Sequence, residues 1–278
     1  MKRTINIKEK KLDVSSPIVM GILNVTPDSF SDGGKYVFAD DAVRRAVQMV
    51  KEGASIIDIG GYSSRPGAKD VSEQEEMDRV IPIIERIIQE MDIPISVDTF
   101  RSHVADESIK IGASIVNDIS AGSDDINMIH TVAKHNVPFI AMHKQGKPSN
   151  MQNNPQYSNV LEEVYSYLKH VIDKCKSAGI EDVIIDPGFG FGKLVTHNYM
   201  LLSQLSELKS LNVPILIGVS RKSMIYKSLN IDVKDALNGT TFLHAFSLKN
   251  GANILRVHDV KEAVECTELY KLICENLL

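Results

Sequence analysis

The sequence predicts an α/β fold, a single (β/α)8 TIM barrel that spans residues 1–278 and begins with a short N-terminal strand pair or arm. Eight short segments rich in Val and Ile alternate with segments of helical periodicity, and eight parallel strands close such a barrel. The phrase Gly-Ala-Ser/Asn-Ile recurs where a helix should end and a strand begin, at Gly53–Ile56, Gly112–Ile115 and Gly251–Ile254. A doubly wound parallel sheet is the alternative fold.

Composition limits the classes of function. Apolar residues make up 43% of 278 residues, enough for a substantial core. The net charge of −5 and the pI near 5.9 argue against nucleic acid or an anionic membrane surface as the main partner. Three cysteines have neither zinc-ligand spacing nor the even count of a disulfide framework, which indicates a reducing compartment. No signal-peptide core precedes Leu12, so we expect a cytoplasmic protein.

Each predicted strand is short and apolar on both faces, as expected for parallel strands covered by helices. Residues 3–14 alternate polar and apolar side chains and predict a strand pair or an arm, a piece that in a barrel often plugs the end away from the active site. The eight barrel strands are predicted at residues 17–23, 55–60, 93–97, 114–116, 137–142, 183–185, 215–219 and 253–257.

Helices are predicted between the strands from apolar residues at helical spacing. Ser72 and Glu75 form a capping box at one helix start, and Gly53 supplies the conformational freedom needed just after another helix. The predicted helices cover residues 40–53, 72–91, 102–111, 124–135, 161–179, 197–208, 223–249 and 260–277.

Polar side chains follow every predicted strand. Solvent exposure is a sufficient explanation for any one of them, but the whole set is rich in Asp, Asn, Arg, Lys and His. Because a barrel brings the carboxyl ends of its strands to one mouth, we expect these residues to line a ligand site. They are Asn24, Ser63 to Arg65, Asp98, Asn117, His143, Asp186, Lys222, and Arg256 with His258.

One part of this set suits a flat heterocycle. The carboxylates of Asp98 and Asp186, with Asn117, can pair with the parallel N–H donors of an amino-pyrimidinone edge. Lys222 can donate to the ring carbonyl or a ring nitrogen and balance one of the acids. A surface lysine beside Arg221 is the alternative interpretation of Lys222.

The other part suits a phosphate or pyrophosphate. Guanidinium groups such as those of Arg65 and Arg256 bind phosphate oxygens bidentately. His258 closely follows Arg256 in the sequence and belongs to the same group. The amide oxygen of Asn24 is a ligand that Mg²⁺ accepts beside water and substrate phosphates, and a turn-capping role is the alternative. The Gly188–Gly192 tract matches neither a P-loop nor a dinucleotide fingerprint, although its phenylalanines can flank an aromatic substrate.

Eight phrases carry a resemblance to a known family, from Met20 to about Ala263. They occur in order as ILNVTPDSFSDGG, DIGGYSSRPGA, ISVDTFRSHVA, IVNDISAG, AMHKQGKPSNMQ, IIDPGFGFGK, GVSRKSMI and ILRVHDV. The chain resembles the dihydropteroate synthases of the pterin-binding TIM-barrel family. The resemblance implies a folate-biosynthesis transferase that condenses 6-hydroxymethyl-7,8-dihydropterin pyrophosphate with 4-aminobenzoate, releasing pyrophosphate and 7,8-dihydropteroate. It also implies Mg²⁺ as cofactor, a homodimer, and a target for sulfonamides.

The resemblance assigns roles to named residues. Lys222, Asp98 and Arg256 would be catalytic. The pterin would be bound by Asp98, Asn117, Met142, Asp186, Lys222 and Arg256, with Arg256 stacked on its face. The pyrophosphate would be bound by Asn24, Arg65, Arg256 and His258, with Asn24 also at the metal. The 4-aminobenzoate would be bound by Phe30, Ser64, Pro66, Phe191, Lys222 and Ser223.

Two departures from the family pattern are visible. Tyr62 stands where many members have Glu, and Ser64 where many have Thr, so both bear on the affinity for 4-aminobenzoate and sulfonamides. Neither removes a residue implied to hold the pterin.

Other functions remain as alternatives. A methyltetrahydrofolate-binding methyltransferase shares the pterin pocket, but the SRKS and RVHDV phrases favour a synthase that releases pyrophosphate. A non-enzymatic pterin-binding protein would be favoured by a broken set of anion-binding residues, and the set is intact. An aldolase of this fold would need a Schiff-base lysine inside a strand, whereas Lys222 follows its strand.

Overall fold

The computed structural model describes residues 4–7, 10–26, 35–63, 70–146 and 151–275. Strands and helices alternate along these residues after an N-terminal hairpin. The strands are β1 Thr4–Ile7, β2 Lys10–Asp13, β3 Ile18–Asn24, β4 Ile56–Gly60, β5 Ile95–Asp98, β6 Ile115–Asp118, β7 Phe139–Met142, β8 Val183–Asp186, β9 Leu216–Ile217 and β10 Ile254–Val257. The helices are α1 Lys35–Lys51, α2 Glu73–Glu90, α3 Ser102–Ile111, α4 Met128–His135, α5 Val160–Ser177, α6 Val195–Ser203, α7 Ser223–Leu229, α8 Leu237–Lys249 and α9 Val260–Glu275.

Eight parallel strands form one sheet in the spatial order β8-β7-β6-β5-β4-β3-β10-β9. The two edges of this sheet approach each other, because Ile185 in β8 forms a parallel bridge with Ile215 just before β9. The amide of Ile185 donates to the carbonyl of Pro214 at 3.0 Å. The strands therefore form a nearly closed barrel with helices around it, and the predicted (β/α)8 fold is confirmed.

Side chains alternate between the two faces of each barrel strand. In β4, Ile57 and Ile59 point outward into the large cluster between strands and helices, whereas Ile56 points into the barrel. The same alternation places Asp58 and Gly60 on the inner face. Both faces of the strands are thus covered, which is why the sequence shows short continuous apolar runs.

The amino-terminal end of the barrel is filled by an inner apolar cluster. The β1–β2 hairpin contributes Ile5 and Ile7, exposed by only 1% and 6%, and it packs across this end. The predicted N-terminal strand pair is confirmed, with Thr4 opposite Asp13 in its register. The inner cluster consists of Ile5, Ile7, Val14, Met20, Ile56, Ile115, Ile140, Ile184, Leu216 and Ile254.

Several predicted elements differ from the structure. The predicted helix over 124–135 begins only at Met128, because the Asp125 carboxylate accepts from the amides of Ser102 and Asn127 and holds a turn. The predicted helix over 223–249 is two helices, since Asn230 adopts a left-handed φ of 53° and ends α7. The strand predicted at 215–219 is reduced to the two residues of β9.

The predicted helix over 197–208 also divides, into α6 and a 3-10 helix at Leu205–Leu211. Within the described ranges, every helix is too short or too polar to cross a membrane.

Candidate active site

The inward positions at the carboxyl ends of the strands surround the open end of the barrel, which we call the mouth. Side chains alternate between the two faces of each strand, so every second residue after a member of the inner cluster also points inward. The inward residues that reach the mouth are Asn24, Asp98, Asn117, Met142, Asp186 and Arg256, together with Gly60 and Gly218. Neighbouring strands put Asp98 beside Asn117 and Met142 beside Asp186 in register. The structure thus brings together five of the residues predicted from strand ends, with Met142, which the resemblance implied.

A buried arginine joins three strands below this mouth. The Nη2 of Arg256 donates to the Oδ2 of Asp98 at 2.6 Å, and its Nε donates to the Oδ2 of Asp58 at 2.6 Å. The side-chain amide of Asn117 donates to the same Asp58 oxygen at 3.1 Å. One cation and two acids therefore share a network, with Asp58 as a member that the strand-end analysis did not predict.

The electrostatics of this network follow from burial and from the nearness of its charges. Burial opposes the charge on Arg256, yet the carboxylates of Asp58 and Asp98 raise its pKa above the ordinary value. For Asp98, burial raises the pKa to about 7, against the lowering effect of Arg256 and with a further rise from Asp58. Near neutral pH, Asp98 is thus poised between its neutral and charged forms.

A second acid and base face each other on the other side of the mouth. A Cβ placed on Gly218 would lie 3.8 Å from the Nζ of Lys222 and 3.9 Å from the Oδ2 of Asp186. Burial lowers the pKa of Lys222 to about 8 and raises that of Asp186, and in each case the opposite charge counteracts burial. Gly218 leaves the space between them open, since any side chain there would contact both groups.

The two halves of the mouth are electrostatically connected. Arg256 contributes to lowering the pKa of Lys222, and Asp98 to raising it. The Nζ of Lys222 also donates to the carbonyl of Phe189 and lies 4.7 Å from the centroid of the Phe191 ring. Lys222 is therefore half-buried and contacts the loop after β8, unlike a lysine on an open surface.

The glycine-rich loop after β8 is held by Lys193, whose side chain is almost fully buried. Its Nζ donates to the carbonyl of Gly188 at 2.9 Å and to that of Phe191 at 3.3 Å, and it lies 2.9 Å from the Nδ1 of His143. Burial and the Lys193 charge lower the pKa of His143 to about 3, so the ring is neutral and Nδ1 accepts. Burial also lowers the pKa of Lys193, to about 7.

Gly188 shows how closely the loops after β7 and β8 approach. Its φ is +72°, and a Cβ on it would lie 1.8 Å from the carbonyl oxygen of His143. Any other residue would push apart the two loops that Lys193 joins. The amide of Gly188 also donates to the Oδ1 of Asp186 at 2.7 Å, which fixes the carboxylate at the mouth.

Hydrogen bonds connect the loops after β9 and β10. The guanidinium of Arg221 binds the Asp259 carboxylate with two bonds of 2.8 and 2.9 Å. The amide of His258 donates to the hydroxyl of Ser220 at 3.3 Å, and its Nδ1 lies 3.2 Å from the same oxygen. These contacts place His258 beside the segment that bears Lys222 and the first residue of α7, Ser223.

Four predicted site residues, Phe30, Ser64, Arg65 and Pro66, lie outside the described residues. Three other residues were missed by the sequence analysis: Asp58, Lys193 and Gly218. For Asp58 a signal was present, because a carboxylate between Ile57 and Ile59 in a fully buried strand needs a partner. Lys193 and Gly218 gave no such signal, since lysine and glycine are ordinary in loops.

Asn24 is the residue at the mouth that the resemblance assigns to a metal ion. Among the described residues no group of three or more His, Cys, Asp or Glu side chains has the arrangement of a metal site. Asn24 ends β3 at the mouth, half-buried, and offers one neutral amide oxygen. This donor suits Mg²⁺, which keeps several waters and often binds through few protein ligands together with substrate phosphates.

Comparison with known proteins agrees with this arrangement. The family described as pterin binding enzyme matches residues 20–258. A dihydropteroate synthase of Escherichia coli K12 is 49% identical over 256 residues, covering 91% of this chain and 90% of the relative.

Two solved structures have the same fold over nearly their whole length. A Yersinia pestis dihydropteroate synthase with a sulfonamide drug complex superposes with a TM-score of 0.92 at 44% identity, covering 98% of this chain and 99% of the other. A Xanthomonas albilineans dihydropteroate synthase with 4-aminobenzoic acid gives 0.92 at 38% identity and 98% coverage of both chains.

Proposed function

The chain belongs to the family of pterin-binding enzymes, and from this premise we propose that it is a dihydropteroate synthase. It joins 6-hydroxymethyl-7,8-dihydropterin pyrophosphate to 4-aminobenzoate, forming 7,8-dihydropteroate and pyrophosphate in folate biosynthesis. One observation carries the proposal. Two carboxylates, Asp98 and Asp186, and two cations, Lys222 and Arg256, come from four separate strand ends and interact around one mouth.

The pterin ring is bound by the acids and the amide of the mouth. The carboxylate of Asp186 accepts hydrogen bonds from the amino-pyrimidinone edge, and Asp98 and Asn117 contact the other ring. Lys222 donates to the pterin and keeps the charge of Asp186 balanced, while Met142 lines the pocket. This assignment is supported by burial, because carboxylates in a narrow pocket bind donors more strongly than carboxylates in water.

The pyrophosphate leaves from the methylene carbon of the pterin. Asn24, Arg65, Arg256 and His258 bind its oxygens. Asn24 would also hold Mg²⁺ together with the phosphates, and the bound ion would supply positive charge to the leaving group. The electron-rich dihydropterin can delocalise the cation that departure leaves on its methylene. Lys222 and Asp98 orient the ring during this step, so that the open face of the carbon meets the second substrate.

The 4-aminobenzoate then attacks through its amine. Its ring contacts Phe191, Lys222 and Ser223, and the family resemblance adds Phe30, Ser64 and Pro66 to this site. Support comes from the Phe191 ring, which lies close to the Lys222 ammonium and so connects the two substrate sites. Sulfonamides compete for this position, as the sulfonamide complex of the Yersinia pestis relative suggests.

The chain occurs as a cytoplasmic homodimer of a single 278-residue domain. Support for the dimer comes from the neighbouring helices α8 and α9, which expose Phe242 by 68% and Leu269 by 63% beside Phe246, Leu272 and Ile273. Exposed apolar surface of this kind marks protein contacts.

The variant Phe242→Glu should give a monomer in sedimentation equilibrium. The control is Ile126→Glu, which changes an exposed apolar residue before α4 and should leave the dimer intact. A dimeric Phe242→Glu variant would exclude this surface.

A coupled assay tests the proposed reaction. Purified protein is mixed with the dihydropterin pyrophosphate, 4-aminobenzoate and Mg²⁺, and release of pyrophosphate is measured with each component left out in turn. Release that needs both organic substrates supports the synthase. Release from the pterin pyrophosphate alone, without any 4-aminobenzoate-dependent increase, would contradict it.

A further inference from the structure

Asp58 lies in the interior of the barrel, below the mouth. It is 0% exposed and occupies the inward position of β4 two residues before Gly60. Gly60 carries no side chain, so Asp58 supplies the uppermost inward side chain of β4. A Cβ on Gly60 would lie 3.4 Å from the Cβ of Asp98, which shows that the two acids occupy successive levels of the same part of the barrel.

One oxygen of Asp58 accepts hydrogen bonds from two residues that are proposed to bind the substrate. Its Oδ2 accepts from the Nε of Arg256 at 2.6 Å and from the side-chain amide of Asn117 at 3.1 Å. Its Oδ1 is buried and makes no hydrogen bond with the described residues. Asp58 therefore fixes both a cation of β10 and an amide of β6 through a single acceptor.

The two acids that hold Arg256 differ in their access to a ligand. The side chain of Asp98 is 22% exposed at the mouth, whereas that of Asp58 is fully buried. A substrate that enters the mouth can take over the hydrogen bonds of Asp98, but it cannot reach Asp58. When a pterin binds Asp98, the Arg256–Asp98 contact must weaken, and the Arg256–Asp58 contact is the one that can remain.

We propose that Asp58 is a positioning residue that keeps Arg256 and Asn117 in place while Asp98 changes its partner from Arg256 to the substrate. This inference rests on the proposed function, since it assumes that Asp98 and Arg256 meet the pterin pyrophosphate. In the ligand-free protein Arg256 is shared between two carboxylates. In the complex, Asp58 keeps its contacts with Nε and Nη2 of the guanidinium, each 2.6 Å from its Oδ2, and the remaining N–H groups face the substrate.

The first test is Asp58→Asn, which retains one oxygen acceptor at nearly the same size, removes the charge and places an NH2 group where the unbonded Oδ1 lies. Arg256 would then have Asp98 as its only charged partner in the network, so Arg256 would compete with the substrate for Asp98. We expect the KM for the pterin pyrophosphate to rise roughly 10- to 100-fold, the range for losing a hydrogen bond to a charged group, with the KM for 4-aminobenzoate unchanged.

Asp182→Asn is the matched control. Asp182 is also buried, 7% exposed, and its carboxylate accepts from the amide and the side chain of Asn6 at the closed end of the barrel, away from the mouth. This variant tests whether neutralising any buried acid changes the KM for the pterin pyrophosphate, and we expect no change. An Asp58→Asn enzyme with wild-type KM for the pterin pyrophosphate would overturn the inference.

A double-mutant cycle separates positioning from a purely structural role. If Asp58 acts through Arg256, then adding Asp58→Asn to Arg256→Lys should raise the pterin KM by much less than it does in the wild-type background. Equal effects in both backgrounds would mean that Asp58 acts independently of Arg256, and the inference would be wrong.

A measurement on the unmodified protein covers the case in which Asp58→Asn does not fold. The Nε–H signal of Arg256, assigned in a spectrum of ¹⁵N-arginine-labelled protein by comparison with Arg256→Lys, should stay protected from solvent exchange when the pterin pyrophosphate is added. Loss of that protection on binding would overturn the inference. If the wild-type enzyme released no pyrophosphate in the two-substrate assay, the proposed function itself would fail, which is a separate result.

Discussion

The two ends of the barrel interior are built from the same strands and differ in chemistry. At the closed end the inward residues are apolar, as in Ile56, Ile140 and Ile184, and the β1–β2 hairpin covers them. Two positions further along the same strands, the inward residues are Asp58, Met142 and Asp186. Gly60 is the next inward residue of β4 after Asp58. The alternation does not change between the ends, so one set of strands provides both a stabilising core and a binding site.

The two ends differ in how the burial of their side chains affects the stability of the fold. Burying apolar side chains stabilises the fold by about 25 cal/mol per Å² removed from water. Burying charges such as Arg256 and Asp98 destabilises it unless they are paired, and a bound substrate can supply better partners than the protein alone. The closed end therefore accounts for stability, and the open end holds charges whose best partners arrive with the ligand.

The largest expected effect comes from removing the charges on the far side of the mouth. Asp186→Ala should abolish pterin binding, and Lys222→Ala should lower kcat/KM for both substrates about 1,000-fold, because each leaves the other charge buried without its partner. Steady-state kinetics and calorimetric titration with the pterin pyrophosphate measure this. Lys169→Ala, on the exposed face of α5, is the control. Undiminished turnover in either variant would remove these residues from the mechanism.

A smaller loss is expected when the glycine-rich loop loses its support. Lys193→Met keeps the length of the side chain but removes the donors to His143, Gly188 and Phe191, so kcat/KM for 4-aminobenzoate should fall roughly 10- to 100-fold. Since Phe191 lies in this loop, the KM for 4-aminobenzoate should rise more than that for the pterin pyrophosphate. Equal changes in both would indicate a general loss of structure, which circular dichroism would reveal.

The pH dependence of kcat/KM should show both groups of charges. Asp98 must lose its proton, which happens as the pH rises through about 7, and Lys222 must keep its proton, which it loses as the pH rises through about 8. We expect a maximum between about pH 7 and 8 and a fall of about tenfold per unit outside it. A flat profile from pH 6 to 9 would argue against these assignments.

The smallest effect on catalysis is expected at the closed end. Ile5→Ala removes a fully buried side chain from the inner cluster and should lower the free energy of unfolding by about 2–4 kcal/mol. Below the unfolding temperature, kcat/KM should change less than twofold, because the hairpin does not reach the mouth. Chemical denaturation and steady-state kinetics on the same preparation check both statements. A large loss of kcat/KM without unfolding would break the division between the two ends.

Several features of the site were predictable from residues alone. Asp98, Asn117 and Asp186 end apolar runs, and the count of strands required those ends to meet at one mouth. Asp58 lies inside its strand and not after it, so the strand-end pattern does not include it. Gly60 at the end of β4 has no side chain, and Asp58 is one inward position earlier. The break between α7 and α8 was missed because apolar spacing continues across Asn230, whose left-handed backbone interrupts the helix.

The sequence by itself determined the order of the elements, the closed barrel and the family, because local periodicity and short motifs are properties of neighbouring residues. Only the tertiary structure decided that Arg256 is shared by Asp58 and Asp98, that Lys193 joins two loops, and that Gly218 lies beside both Asp186 and Lys222. These contacts connect residues far apart in the chain, and they depend on strand register and on burial. Neither can be obtained from a single segment, since both arise when the barrel closes.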